Sequence, residues 1–126
     1  MKLYCTVIAT VLLCVCCTSQ EEKMRQEANQ QGFSLIEQAR AAYHHEKYDE
    51  AIELIDSIRH AYPTAMNARE EGILLKDSIE IAKAEVELQT LMQQGITTGE
   101  DVEEAQRKIK YFVRKLSHDI EQRRTH

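Results

Sequence analysis

Gly32, Pro63, Gly72, Gly95 and Gly99 are the only glycines and the only proline in 126 residues. The chain can change direction cheaply at few places, because glycine admits positive φ and proline cannot extend a helix. After residue 20, Glu, Gln, Ala, Leu, Ile, Lys and Arg dominate, and these are strong helix formers. A few long helices joined by short turns are expected, in an all-α fold. The length suits one hydrophobic core rather than two. Long helices bury less apolar area than a compact globule does, so thinly covered apolar stripes are expected, and such stripes often take a partner.

The first residues have a different character. Lys2 is followed by an apolar run from Leu3 to Val15, and the chain then turns sharply polar at Thr18, Ser19, Gln20, Glu21, Glu22 and Lys23. As a helix the run would span roughly 20 Å, short of a ~30 Å hydrocarbon core. It has the form of a signal-peptide hydrophobic segment. All four cysteines, Cys5, Cys14, Cys16 and Cys17, lie here. No further Cys and no nearby His completes a metal-ligand set around them.

Leu13, Cys14, Val15 and Cys16 before Cys17 resemble the lipobox of bacterial lipoproteins. In that family a peptidase cuts before a Cys whose sulfur carries a diacylglyceryl group. The resemblance implies lipid attachment at Cys17, with Cys16 as the alternative, and a palmitate-type acyl anchor. Cys16 departs from the usual Gly, Ala or Ser before the modified residue. The competing reading is an ordinary cleaved secretory signal, but no Ala-x-Ala type pair is present. Two or three acyl chains hold firmly, at about 0.8 kcal/mol per buried methylene. Residues 1–16 are thus expected as the signal peptide, and 17–31 as a polar tether.

Within the remaining chain, Ser34 and Glu37 have the spacing of a capping box, which would open a helix just after Gly32. The other reading, that Gly32 lies inside one long helix, stays open. Leu35, Ala39, Ala42 and Tyr43 share one helical face, His44 to Lys47 marks a turn, and a second helix is expected from Tyr48 to Ala61. Its stripe is Tyr48, Ala51, Ile52, Leu54, Ile55 and Ile58, and Tyr62-Pro63 ends it.

These residues resemble one tetratricopeptide repeat, a helix–turn–helix unit of about 34 residues. The resemblance covers 32–65. It places Ala39 and Ala51 where the two helices touch, Tyr48 at the aromatic position and Pro63 at the end. Gln38 departs from the apolar residue expected there, and Gly72 and Lys76 fall where a second repeat would need packing residues. A single repeat cannot cover its own face, so the next helix is expected to cover it.

That helix should open at Thr64 or Asn67 and run to about Gln94. Its heptad stripe is Ala65, Ala68, Gly72, Leu75, Ile79, Ala82, Val86 and Gln89, with Leu74, Ile81 and Leu88 beside it. After the Gly95–Gly99 turn, Thr98 is expected to cap a last helix through Asp101. That helix carries Val102, Ala105, Ile109, Phe112 and Leu116 at steps of three and four, widened by Val113 and Ile120. Residues 66–126 therefore read as a long antiparallel hairpin of coiled-coil character. Leu75, Ile79, Ala82 and Val86 are expected to face the final stripe.

Chemistry is sparse. Adjacent His44 and His45 point about 100° apart on a helix and cannot share a metal. His60, His118 and His126 have no Ser or Cys arranged as a nucleophile–base pair. The carboxylates Glu70, Glu71, Asp77, Glu80, Glu85, Glu87, Glu103 and Glu104 are expected on polar faces, where nothing desolvates them. There is no phosphate-binding loop, Gly-x-Ser-x-Gly or His-Glu-x-x-His. No catalysis, metal or cofactor is expected. The formal charge of −5, one unit more negative without Lys2, argues against nucleic-acid binding. The last helix turns from acidic to basic along its length, as the helix dipole favours; a basic tip for acidic lipid or an acidic partner is the sharper reading.

The whole is similar to small Gram-negative lipoproteins that join one degenerate tetratricopeptide-like repeat to a coiled coil. That resemblance implies a lipid-anchored protein of the bacterial cell envelope, at the outer membrane. The two hairpins together are expected to form one elongated surface that serves as a protein-binding or scaffold module. The surface expected to meet the partner is Ile109, Phe112, Val113 and Leu116. The alternative is a structural envelope protein that self-associates into a homo-oligomer.

Overall fold

The computed structural model describes the backbone of residues 2–126 and the side chains of residues 19–126. Four helices follow one another: α1 (Lys2–His44), α2 (Tyr48–Ala61), α3 (Met66–Gln93) and α4 (Glu100–Thr125). The fold is all-α. Among the described residues no helix is long and apolar enough to cross a membrane. Cys16 and Cys17, the expected sites of lipid attachment, lie outside the described side chains.

The turns have local causes. At the end of α1, Lys47 N–H donates to Ala42 O and Glu46 N–H to Tyr43 O, both at 2.9 Å. These are the two bonds of a Schellman cap, with Glu46 at φ 60° in the position that favours glycine. The same pair of bonds ends α3, where Ile96 N–H donates to Leu91 O and Gly95 N–H to Met92 O, and there Gly95 supplies φ 81°. The expected cap of α4 is corrected. The N-cap position is Gly99, at φ 121°, and no side chain caps it. Thr98 stands one residue too early for its hydroxyl to be the N-cap acceptor.

No helix boundary falls at residue 17 or residue 32, so Gly32 belongs to one long α1. Its value is close approach. A Cβ added at Gly32 would lie 2.6 Å from the Cβ of Ala68, so α1 and α3 cross with almost no side chain between them. Gly72 does the same for Ile55 and Ile36. Around these contacts Ile36, Ala39, Ala51, Ile55, Ile58, Ala65, Ala68, Leu75 and Ile79 form one buried core shared by α1, α2 and α3. Two ion pairs edge it on the α2 side, Lys76–Asp56 at 2.7 Å and Lys83–Asp49 at 2.5 Å.

The polar stretch before Gly32 also enters the fold. Ala28 packs against the core. Asn29 Oδ1 accepts the N–H of Ala68 at 3.2 Å. Ala65, the N-cap residue of α3, offers no side-chain acceptor, and neither Thr64 nor Asn67 caps the helix. Asn29 therefore satisfies a first-turn donor that the neighbouring sequence leaves open.

Among the described residues, helix α4 packs on α3 and on no other helix. This corrects the facing expected for α3. Leu75 and Ile79 belong to the core with α1 and α2, not to the seam with α4. The α4 side of α3 is the row Leu74, Asp77, Ile81, Ala84, Leu88 and Leu91, at steps of three and four on the opposite face. Val86 continues the core-facing stripe beyond the α1–α2 turn and stands 45% exposed.

Candidate functional site

The seam between α3 and α4 combines partly covered apolar residues with specific polar contacts. Three cross-helix pairs set its register: Lys108–Glu87 at 3.4 Å, Lys115–Asp77 at 2.8 Å and Arg123–Glu71 at 2.6 Å. The numbers rise on α4 as they fall on α3, so the helices are antiparallel. Toward the turn Val102, Ala105 and Ala84 are buried, and among the described residues α3 is the one helix packed on α4.

Asp77 contradicts the expectation that the carboxylates sit on solvated faces. It is 2% exposed and lies within the apolar row. Lys115 Nζ donates to both of its oxygens, at 2.8 and 2.9 Å, and to Asp119 Oδ2 at 2.8 Å. Burial pushes the Asp77 carboxyl above its ordinary range, against the pull of the Lys115 hydrogen bond. Burial opposes the charge on Lys115, but its bonds to Asp119 and Asp77 hold the ammonium proton more tightly than usual. The Lys115 hydrogen bond holds Asp119 below its ordinary range. A buried pair of this kind adds little net stability but penalises any register that leaves one charge alone. The missed signal was positional: Asp77 occupies a three–four step between Leu74 and Ile81, a place where an apolar residue is the default.

Glu71 ties the two halves of the molecule together. It accepts from Arg123 of α4 and from Arg40 of α1. The Arg123 bond, more than burial opposes it, holds the Glu71 carboxyl low. Beside it, Ile73 and Leu74 line an open groove of about 420 Å³ bounded by Lys115, Asp119 and Arg123.

The residues expected to meet a partner lie on α4 and are not uniformly open. Ile109, Phe112 and Leu116 are half-buried on the α3 side. Val113 is 46% exposed, and Ile120, one turn pair further, is 38% exposed. The phenol of Tyr111 is exposed and its ring meets Phe112 edge-on at 5.0 Å. Among the described residues no group of three His, Cys, Asp or Glu side chains is placed to hold a metal ion. His44, His45, His60, His118 and His126 are all exposed. No known protein family, characterised protein or solved structure matches the chain.

Proposed function

We propose that the chain is a lipid-anchored helical module of the bacterial cell envelope that binds another protein through the α3–α4 hairpin. The observation that carries the binding half of this reading is the incomplete cover of α4. Among the described residues its apolar stripe packs on one helix only, and Val113 and Ile120 stand open along one edge. A helix that is apolar along an edge with no second neighbour is suited to a groove or a helical partner. The anchoring half rests on the apolar run from Leu3 to Val15, followed at once by Cys16, Cys17 and a polar chain. Nothing about this surface calls for catalysis.

Metabolic labelling with a fatty-acid probe tests the anchor. Wild-type protein should label and sediment with membranes, and Cys17→Ser should do neither. Labelling that persists in Cys17→Ser moves the attachment to Cys16. Unlabelled wild-type protein that keeps its N-terminal segment overturns the localisation. For the surface, Val113→Glu should release proteins that copurify after crosslinking in cells while leaving the melting temperature nearly unchanged. Unchanged retention would remove this edge as the binding surface.

A further inference from the structure

The open edge of the seam has a charge pattern that fits itself. The three cross-helix pairs fix which residues stand level. Lys108 meets Glu87 and Lys115 meets Asp77, so Lys110 stands level with Glu85 on the neighbouring helix. With about 100° per residue, Ile109, Val113, Leu116 and Ile120 form one edge of α4, at steps of four, three and four. On the same side of α3 lie Leu74, Ile81 and Met92, of which Met92 is exposed and the others half-buried. Just outside these apolar rows stand Lys110 on α4 and Glu85 on α3.

Most cations of α4 already have carboxylate partners: Arg107, Lys108, Lys115, Arg123 and Arg124. Among the described residues Lys110 and Arg114 have none and Glu85 has no cation; of the two unpaired cations, Lys110 is the one that borders this edge. A cation edge and an anion edge, level with each other and flanking one apolar strip, make a self-complementary surface. That is the requirement of a two-fold interface, in which the same patch serves both subunits.

We propose that a second copy of this chain docks on this edge, about a two-fold axis parallel to the helices, so that α4 of each copy lies over α3 of the other. Rotation about such an axis preserves height along the helices. It brings Lys110 of each copy against Glu85 of the other and encloses Val113, Ile120, Leu74, Ile81 and Met92 between four helices. It also leaves both α1 helices pointing the same way, which two anchors in one membrane require. A two-fold axis across the helices would point them oppositely. The proposal thus rests on the anchored, surface-binding reading above and names a second copy as an occupant of that surface.

The test uses the full chain in detergent, with protein mass read by light scattering over a range of concentration. The wild type should pass from monomer to dimer. Lys110→Glu and Glu85→Lys should each weaken the dimer about tenfold or more, because each places like charges together. The combination Lys110→Glu with Glu85→Lys should restore it. Val113→Asn, which keeps both charges, should also weaken it, and unchanged helix content in each variant shows that the fold is retained. A wild type that stays monomeric overturns the proposal, as does a dimer indifferent to both charge reversals. If that monomer still carries its lipid and retains copurifying proteins, the self-docking fails alone and the anchored binding module stands.

Discussion

Helix α3 is packed on both sides, and the two sides are built differently. Toward α1 and α2 it presents Ala65, Ala68, Gly72, Leu75 and Ile79, all buried, in contacts close enough that glycine is needed at Gly32. Toward α4 it presents a row interrupted by Asp77, and of the α4 stripe only Val102 and Ala105 are fully buried. One side is held by shape, with small residues that let three helices approach. The other is held by a short apolar patch near the turn and by ion pairs that fix register. Shape complementarity stabilises one arrangement strongly, whereas paired charges mainly exclude wrong ones. We therefore expect the first three helices to be the more stable unit and α4 to be attached less firmly.

Either side of α3 can be disrupted by substitution, and the largest effect is expected in the core. Ala51 is fully buried between the helices. Ala51→Glu would put a carboxylate there without a partner and should cost several kcal/mol, enough to unfold a marginal domain. Loss of the cooperative melt by circular dichroism checks this, and a near-wild-type melting temperature would mean that the core is misassigned.

Lys115→Met comes next. It leaves Asp77 buried without its cation, an arrangement that costs about 3–5 kcal/mol when a buried pair is broken. The pH dependence identifies the cause. Asp77 titrates above its ordinary value near 3.8 because it is buried. A folded-state pKa raised in this way favours folding below the unfolded value and loses that contribution as pH rises through the folded value. Without Lys115 the folded pKa of Asp77 should rise further. Denaturant melts should show the deficit of the variant shrinking toward pH 4 and widening toward pH 7. A deficit independent of pH would assign the loss to packing of the Lys115 stem instead.

Gly32→Ala sharpens the contrast from the shape side. Its Cβ would collide with that of Ala68, and overpacking of this kind costs about 1–3 kcal/mol. On an ordinary exposed helix the same change would stabilise by roughly 0.5–1 kcal/mol. The sign of the change in a urea midpoint therefore decides whether α1 and α3 touch at this residue. Asn29→Ala is the mildest of these changes, at about 1 kcal/mol, the usual worth of a helix N-cap. A midpoint unaffected by that change would detach residue 29 from the start of α3.

Much of this architecture was legible because its signals are local. Tyr62-Pro63, Gly95 and the His44–Lys47 turn delimit the helices, and α2 runs from Tyr48 to Ala61 as its stripe predicts. The partners of α3 were not legible. A helix flanked on both sides has apolar residues over most of its circumference, and periodicity then cannot say which row meets which neighbour. Asn29 was missed because capping patterns are read between residues three or four apart, whereas this cap joins positions on two helices. Asp77 was placed on a solvated face because its charge outweighed its spacing. Val113 was legible as widening the α4 stripe, but its extent of exposure depends on α4 having, among the described residues, no neighbour other than α3.

Native-state hydrogen exchange of the full chain shows whether α4 is attached less firmly than the core it joins. Local opening should free α4 amides at a lower free energy than those of α2 and of α3 around Ile79, and protection in α4 should be highest near Val102 and Ala105 and fall toward Arg124. Measured on the monomer, at concentrations below any association, α4 protection equal to that of the α1–α2–α3 core would contradict the account.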